Sequence, residues 1–464
     1  MSDTDHQRIQ KVIPLINNLS PTFCLAKWFH VTLYLQTGEN HSCYHPAPHA
    51  IEIDEIKLNP SALHNTEHKK VERQEMKKGI QTSGCRYCWN IENMGKDYIS
   101  DRHIKSAAIY TPDRLKIAKG SAKNDVNPEY VEISFGNECN FKCGYCHPKA
   151  SSRFYNEIRE HGPVTSVNNH RCDIDWFKLY EREEANPYVD AWWKWWPNLR
   201  NDLTILRITG GEPLMHTSTW RLFDDLKNNP APRLELNVNS NLGVKTALVD
   251  KLITNVNHLI ENDNIRAFKL FTSIDTWGPR AEYIRTGLDL ELWESNLDRY
   301  LTQVGYPISF MITFNILSVT TFKKLLQQIL KWRKKYNKFN KSSQHQMVRF
   351  DTPYLKEPLQ YDINILPKEQ YMPYMYDCLS FIEKNTDDHD PFKFSLVEFE
   401  RFRRIVKYME SSNYSQSKII EGRHDFYNWF SELDYRRNTD FIATFPEMKQ
   451  FFKECKSLGQ INSK

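Results

Sequence analysis

The sequence predicts an α/β protein built on a parallel sheet. From residue 130 onward, short runs rich in β-branched and aromatic residues recur, and segments with helical periodicity separate them. Strands that alternate with helices pair in parallel through right-handed crossovers. The chain of 464 residues is long enough for two or three domains, each with its own core.

Six strand-like runs carry this prediction. They are Tyr130–Phe135, Leu203–Thr209, Arg233–Asn239, Ala267–Ile274, Pro307–Asn315 and Gln346–Thr352. Helical segments between or beside the later runs are Lys245–Leu259, Leu290–Val304 and Phe322–Tyr336. Ligands of parallel α/β proteins gather at the carboxyl ends of the strands, so the residues that follow each run are the first candidates for a functional site.

A cysteine motif follows the first of these strands directly. Cys139, Cys143 and Cys146 have the spacing CxxxCxxC. Three thiolates this close in sequence can hold one face of a four-iron cluster and leave one iron open for a substrate. The alternative is a zinc knuckle, in which His147 would supply the fourth ligand from a cramped loop.

A glycine-rich motif follows the second strand. Gly210, Gly211 and Glu212 come directly after Thr209 and precede Pro213. Glycines let a backbone approach a ligand closely, and a carboxylate can offset an ammonium group. Alone this motif would indicate only a turn. Because it follows the cysteine motif by one strand, the two motifs together predict one shared site.

These two motifs, with the aromatic Tyr145 before the third cysteine, resemble those of the radical SAM superfamily. The resemblance implies an open, partial (β/α)6 TIM-like radical SAM barrel. It also implies a 4Fe-4S cluster on the three cysteines that binds S-adenosyl-L-methionine (SAM) through its amino and carboxylate groups. Tyr145 is then expected near the adenine, and the Gly-Gly-Glu motif at the methionyl amino group.

Polar residues at later strand ends extend this expectation. By resemblance, Asn239, Ser273 and Asp275 would contact the ribose and carboxylate of SAM, and Arg285 would pair with the carboxylate through two hydrogen bonds. The alternative is local, because Asn, Ser and Asp also cap helices that begin at such positions. The residues alone do not identify a catalytic acid or base.

A second cysteine set, Cys24, Cys43, Cys85 and Cys88, precedes the predicted barrel. The segment from Trp28 to Leu35 alternates like a strand, and Gly38, which four residues separate from Cys43, marks a turn. The pattern resembles the opening of a SPASM or Twitch auxiliary-cluster domain. Four thiolates would saturate a second 4Fe-4S cluster and favour electron transfer, whereas a four-cysteine zinc site is the alternative.

The chain departs from that family pattern in two ways. SPASM and Twitch domains usually follow the barrel, and the longer SPASM pattern would place cysteines where Met94 and Tyr98 stand. One auxiliary cluster is therefore the most that the resemblance implies. The layout resembles Twitch-containing radical SAM proteins of phage and environmental genomes.

The predicted domains are an auxiliary-cluster domain over 1–128, the partial barrel over 129–355 and a helical extension over 356–464. The first domain begins with a helix over residues 6–19 whose apolar stripe is expected to dock on the body, and the extension carries helix-like stripes such as Phe441–Phe452. Glu92, Ser100 and Arg102 are expected in a solvated polar loop, and the alternative is that they orient the cysteine loop by hydrogen bonding to sulfur or backbone. Residues 111–128 are expected in a surface linker. The tryptophans of 191–197 are expected on a helix that packs on the outside of the barrel, and a substrate platform is the alternative. Cys172, Cys378 and Cys455 have no partner at ligand spacing and are interpreted as inert thiols.

Composition limits the function classes. The hydrophobic fraction of 40% and the charged fraction of 26% are those of a soluble globular protein. The sequence has no long apolar run or signal-peptide pattern, which predicts a cytoplasmic protein without a membrane partner. A net charge of +4 does not indicate nucleic acid. The grouping of seven of the 10 cysteines favours metal ligation over disulfides.

The resemblance implies an enzyme that cleaves SAM reductively to a 5'-deoxyadenosyl radical and oxidatively modifies a peptide or protein side chain. An external one-electron donor of the flavodoxin or ferredoxin type would be its redox partner. One alternative is oxidation or rearrangement of a small molecule such as a sugar or nucleotide. The other, from a different class, is a non-catalytic, metal-stabilised protein that binds a partner.

Overall fold

The computed structural model describes residues 3–95, 98–167, 173–342 and 346–459, so Cys172 lies outside the described residues. The strands of these residues form one nine-stranded sheet in the order β3-β2-β1-β4-β5-β6-β7-β8-β9. They are β1 His30–Tyr34, β2 Glu39–His41, β3 His49–Ala50, β4 Tyr130–Ser134, β5 Ile205–Thr209, β6 Ala231–Asn239, β7 Ile265–Ser273, β8 Ile308–Met311 and β9 Val348–Asp351.

The sheet is mostly parallel, which confirms the predicted α/β class. All six predicted strands form, as β4 to β9. Within this set, each strand lies beside the strand that follows it in the chain. β1 and β4 pair in parallel, as do β4 and β5, β7 and β8, and β8 and β9, whereas β2 is antiparallel to β1 and β3. The addition of β1, β2 and β3 to this sheet was not predicted.

Helices connect and cover the strands. In chain order they are α1 Asp3–Asn17, α2 Ala26–Phe29, α3 Ile53–Leu58, α4 Glu67–Lys77, α5 Arg86–Glu92, α6 Asp101–Ile109, α7 Pro112–Lys119, α8 Ser152–His161, α9 Pro187–Leu199, α10 Thr217–Asn228, α11 Thr246–Glu261, α12 Pro279–Ile284, α13 Leu290–Gln303, α14 Phe322–Tyr336, α15 Lys368–Lys384, α16 Leu396–Glu410, α17 Gln416–Arg437, α18 Phe441–Thr444 and α19 Lys449–Gly459. Among the described residues, no helix is both long and apolar enough to cross a lipid bilayer.

The first compact unit comprises Met1–Gly136, Leu179–Asn237 and Leu259–Phe268. The apolar stripe of α1 is buried in its core, which confirms the prediction that this helix docks on the body. The helix α9 also belongs to this unit, and Trp192, Trp195 and Trp196 are buried along it as expected. The division of the sequence into 1–128, 129–355 and 356–464 stays a prediction.

The second compact unit comprises Asn137–Lys178, Val238–His258 and Lys269–Lys464. Aromatic rings fill its core: Trp293 and Trp332 pack on Phe310 of β8, with ring centroids 5.7 and 5.3 Å away. The C-terminal segment is helical, as predicted, and α17 packs on α19. Cys378 and Cys455 are buried free thiols in this segment, which agrees with their interpretation as structural residues.

The prediction of a surface linker over 111–128 was wrong, because the helix α7 lies within this range. Thr111 caps this helix by accepting a hydrogen bond from the backbone of Arg114, and Pro112 occupies the first helical position. Proline is favoured there because the first N–H groups of a helix need no partner within the helix. The proline that suggested a break in structure therefore begins a helix.

Two other predicted elements also differ. Trp28, which was assigned to a strand, belongs to the short helix α2, and β1 begins at His30. The apolar stripe from Phe441 to Phe452 is not one helix, because Pro446 starts a 3₁₀ turn between α18 and α19. Proline lacks the N–H that a continuous helix would need at this position.

Candidate functional site

The three-cysteine motif lies in a loop of the second unit. Cys139 and Cys143 are buried, and Cys146 is half-buried. Backbone hydrogen bonds shape this loop, since the Cys146 N–H donates to the Cys143 carbonyl at 3.0 Å and the Phe141 N–H donates to Cys139 Sγ at 3.4 Å. The N–H of Cys139 in turn donates to the Ser152 hydroxyl at 3.1 Å. The start of α8 thus anchors the first cysteine.

Two glycine-containing segments of the same unit hold the loop in place. The Asn140 side chain donates to the Gly243 carbonyl at 2.8 Å, and the Lys142 N–H donates to the Thr286 carbonyl at 2.9 Å. The ring of Phe141 fills the space that a Cβ of Gly243 would need. Close packing of this kind fixes the backbone that carries the cysteines.

Three of the predicted site residues meet at a buried carboxylate. Asp275, two residues after β7, is fully buried. Tyr145 Oη donates to its Oδ2 at 2.6 Å, Arg285 Nη2 donates to its Oδ1 at 3.0 Å, and the Thr313 N–H donates to Oδ1 at 2.9 Å. Arg285 Nη1 also lies 4.0 Å from Cys143 Sγ, and its guanidinium carbon lies 5.6 Å from the Tyr145 ring centroid.

Burial and charge set the protonation states of this cluster. Burial would lower the pKa of Arg285, but Asp275, Tyr145 and Cys143 raise it above its ordinary value. Burial raises the pKa of Tyr145 well above the ordinary value, with Arg285 opposing the shift. Burial also raises the pKa of the Cys143 thiol, again opposed by Arg285. The cluster therefore presents a permanent cation and a neutral phenol beside this cysteine.

Arg285→Met should destabilise the protein by about 3–5 kcal/mol, because it leaves the buried carboxylate of Asp275 without its cation. Chemical denaturation followed by circular dichroism measures this loss. The double variant Arg285→Met with Asp275→Asn should recover part of the stability. An Arg285→Met protein as stable as the wild type would contradict the importance of this ion pair.

The Gly-Gly-Glu motif lies in the first unit, directly after β5. Gly210 and Gly211 have φ angles of +78° and +37°, and a Cβ on Gly210 would overlap the Ser134 hydroxyl at the end of β4. The turn therefore requires glycine at 210 both for its backbone conformation and for its close approach to β4. Glu212 is fully buried, and its carboxylate accepts a hydrogen bond from the Leu214 N–H at 3.1 Å.

Gly210→Ala should lower the melting temperature markedly more than Gly162→Ala. Both glycines have φ +78°, but a Cβ at Gly162 would meet nothing within 4 Å. The control substitution therefore measures the backbone strain alone, about 1–2 kcal/mol. Differential scanning calorimetry of both variants tests this, and equal losses would show that the contact with β4 is unimportant.

The second cysteine set does come together in the first unit. Cys24, Cys43, Cys85 and Cys88 line one pocket of about 20 Å³, and all four are free thiols. Burial raises the pKa of Cys43 to about 11 and that of Cys88 to about 12, with the neighbouring thiols adding to both shifts. A group larger than a single ion would not fit this pocket of about 20 Å³ unless the cysteine side chains turned outward.

Cations surround this cysteine pocket. Arg102 and Lys105 line it, and Lys27 lowers the pKa of the Cys24 thiol, against the larger opposite effect of burial. Lys27 pairs with Glu72 at 2.6 Å. These positive charges would offset the negative charge of thiolates, so the donor set suits a thiolate-bound metal or cluster.

The prediction of a solvated loop around Glu92 was wrong. Arg102 and Ser100 are buried, and the Glu92 carboxylate accepts from Arg102 Nη2 at 2.8 Å and from the Ser100 hydroxyl at 2.5 Å. Arg102 also donates to the Phe23 carbonyl, next to Cys24, at 2.8 Å. The polar residues thus form a buried network that positions the first cysteine of the pocket.

Sequence reasoning missed Ser106 and Thr313. Ser106 accepts a hydrogen bond from the Leu25 N–H at 3.0 Å, and its hydroxyl lies 3.9 Å from Cys24 Sγ. No sequence pattern separates such residues from ordinary helix or loop positions.

Asn239 ends β6 and Ser273 ends β7, both half-buried, as the strand-end rule predicted. Their contacts with SAM stay predictions.

Within the described ranges, no group of three or more His, Cys, Asp or Glu side chains is arranged to hold a single metal ion. In the side-chain conformations of the structure, neither the three-cysteine motif nor the second cysteine set is arranged to hold a single metal ion. A tetrahedral zinc site would bring four sulfurs within about 3.8 Å of one another, given Zn–S bonds of about 2.3 Å. The two metal sites therefore stay predictions.

Comparison with known proteins adds a weak structural likeness. No protein-family model and no curated protein matches the chain. A solved structure described as "Native anSMEcpe with bound AdoMet" is similar at 13% sequence identity and a TM-score of 0.35, over 55% of this chain and 61% of that one. The match spans less than two thirds of that protein, which binds AdoMet. A likeness of this strength carries no argument about the present chain.

Proposed function

We propose that the chain is a radical SAM enzyme with an open, partial (β/α)6 barrel. The observation that carries this proposal is the link between the three-cysteine loop and the Asp275 cluster. Tyr145, between the second and third cysteines, is hydrogen-bonded to Asp275, and Arg285 lies beside Cys143. A loop of three thiols next to a fixed cation suits a 4Fe-4S cluster with one open iron.

When bound, this cluster would supply the electron for the reductive cleavage of SAM to methionine and a 5'-deoxyadenosyl radical, which is the chemistry that the resemblance implies. Cys139, Cys143 and Cys146 would hold the cluster. Arg285 offsets the negative charge of the thiolates, and Asp275 holds the phenol of Tyr145 in one orientation. Asn239, Ser273 and the Gly-Gly-Glu turn remain the proposed SAM contacts.

We propose a second 4Fe-4S cluster on Cys24, Cys43, Cys85 and Cys88. When bound, such a cluster can accept one electron, so oxidative modification of a substrate is the favoured outcome. Arg102 and Lys27 would stabilise its thiolates. A four-cysteine zinc site is the alternative, and the pocket of about 20 Å³ would accept a zinc ion.

The proposal extends to the partners and the compartment. The favoured substrate is a peptide or protein side chain, and the electron donor is a flavodoxin or ferredoxin type of protein. The proposed compartment is the cytoplasm, where cysteines are kept as reduced thiols that can bind a metal. Oxidation or rearrangement of a sugar or nucleotide is the alternative within enzymes. The division into 1–128, 129–355 and 356–464 belongs to the same proposal.

The anaerobically reconstituted protein should release 5'-deoxyadenosine from SAM when a reductant is added. Cys143→Ala should abolish this release, because two thiolates hold the cluster poorly. Cys378→Ala is the matched control, since Cys378 is a buried free thiol outside both sets. Liquid chromatography with mass spectrometry measures the product. A wild-type protein that binds metal but never cleaves SAM would favour the non-catalytic, partner-binding alternative.

Cys88→Ala should spare uncoupled SAM cleavage but stop turnover of the substrate, because it damages only the pocket of the first unit. Metal analysis accompanies this test. About eight irons per chain would indicate two four-iron clusters, whereas about four irons and one zinc would make the first-unit site structural. Normal product formation in Cys88→Ala would remove the second cluster from the mechanism.

A further inference from the structure

A separate cavity of about 290 Å³ lies in the first unit. His30, Tyr130 and Ile205, which line it, are the first residues of β1, β4 and β5. The cavity therefore lies at the amino ends of these parallel strands, whereas both proposed SAM motifs follow carboxyl ends. Its volume is close to the lower bound of small-molecule sites, about 300 Å³.

Aromatic rings form one wall of this cavity. The ring centroid of His30 lies 4.2 Å from that of Tyr130 and 5.7 Å from that of Tyr44. Ala108 and Ile109 of α6 contribute apolar surface on another side. A flat, apolar ligand would bury its faces against these groups.

His30 offers an unused hydrogen-bonding group. Its side chain is 4% exposed, and its Nε2 is buried without a hydrogen-bond partner among the described residues. Burial lowers the pKa of His30 well below the ordinary value, with Lys105 adding to the shift. The neutral ring has one N–H donor and one acceptor. A buried polar atom without a partner is rare in folded proteins, and a polar group on a ligand would satisfy it.

The charge of the cavity wall is positive. Arg114 is neutralised by its ion pair with Glu129. Lys105 instead forms no ion pair with any described residue, and its ammonium lies 4.5 Å from the Tyr44 ring centroid. The carboxylate of Asp101, one helical turn away, is hydrogen-bonded to His45 at 2.6 Å. The wall therefore carries one uncompensated cation.

We propose that this cavity binds a small aromatic carboxylate with a polar ring substituent. The aromatic body would pack on Tyr44 and Tyr130, the carboxylate would pair with Lys105, and the substituent would reach His30. This site goes beyond the proposed SAM chemistry and does not depend on it. It adjoins the cysteine pocket, because Lys105 lines both and Tyr44 follows Cys43 in the chain.

Calorimetric titration of the full chain with 4-hydroxyphenylacetate tests the proposal. The neutral amide of the same compound and the cation tyramine are the ligand controls. The carboxylate should bind at least tenfold more tightly than the amide and tyramine, because only it pairs with Lys105. Failure of the carboxylate to bind at millimolar concentration, or equal binding of all three compounds, would overturn the proposal.

Lys105→Gln should remove the preference for the carboxylate, whereas Lys116→Gln, an exposed substitution on α7, should keep it. Ala108→Trp should reduce binding of the carboxylate at least tenfold, because the exposed Ala108 lines the cavity and a large ring there would fill it. Thermal melts verify that each variant is folded. Unchanged binding in both Lys105→Gln and Ala108→Trp would place the ligand elsewhere.

Discussion

The buried carboxylate of Asp275 is the constraint on which the three-cysteine loop depends. A fully buried carboxylate is tolerated only when hydrogen bonds and an opposite charge compensate for the lost water. Asp275 obtains them from Tyr145, Arg285 and the backbone N–H of Thr313. These three donors come from the cysteine loop, from the residue after α12 and from the segment after β8. The need to compensate one charge therefore fixes three separate chain segments around Cys143.

The same principle recurs around the cysteines of both units. Three of the cations near these cysteines are each held by a carboxylate: Arg102 by Glu92, Lys27 by Glu72, and Arg437, which lowers the pKa of Cys143, by Glu157. Each pair is nearly neutral as a whole, whatever the protonation state of the cysteine. The cation of the pair is held in one position, and it lowers the pKa of the neighbouring thiol. Preorientation matters because a flexible surface lysine would lose side-chain entropy on ordering.

Local sequence patterns predicted the strands well, because a short β-branched run between two helical segments seldom forms anything other than a strand. The failures have equally physical causes. Pro112 was interpreted as a break because a proline ends a helix as readily as it begins one, and only the cap by Thr111 distinguishes the two. Arg102 was expected in water because charged residues are seldom buried, and its partner Glu92 lies ten positions away with no helical or strand spacing. The parallel pairing of β1 with β4 joins segments about a hundred residues apart, which no local pattern records.

The raised pKa values of the cysteines bear on how either metal site is filled. A metal binds the thiolate, so each buried thiol must lose its proton when the ligand bond forms. In the first unit, burial opposes that loss at Cys24, and the neighbouring Cys85 opposes it further, whereas Arg102 and Lys27 assist it. One bound dication would leave four thiolates in a pocket with a net negative charge, and the nearby cations would offset that charge for zinc and for an iron-sulfur cluster alike. The cations would thus favour thiolates once a metal binds, and the identity of the proposed metal would depend on the distances that the four sulfurs adopt around it.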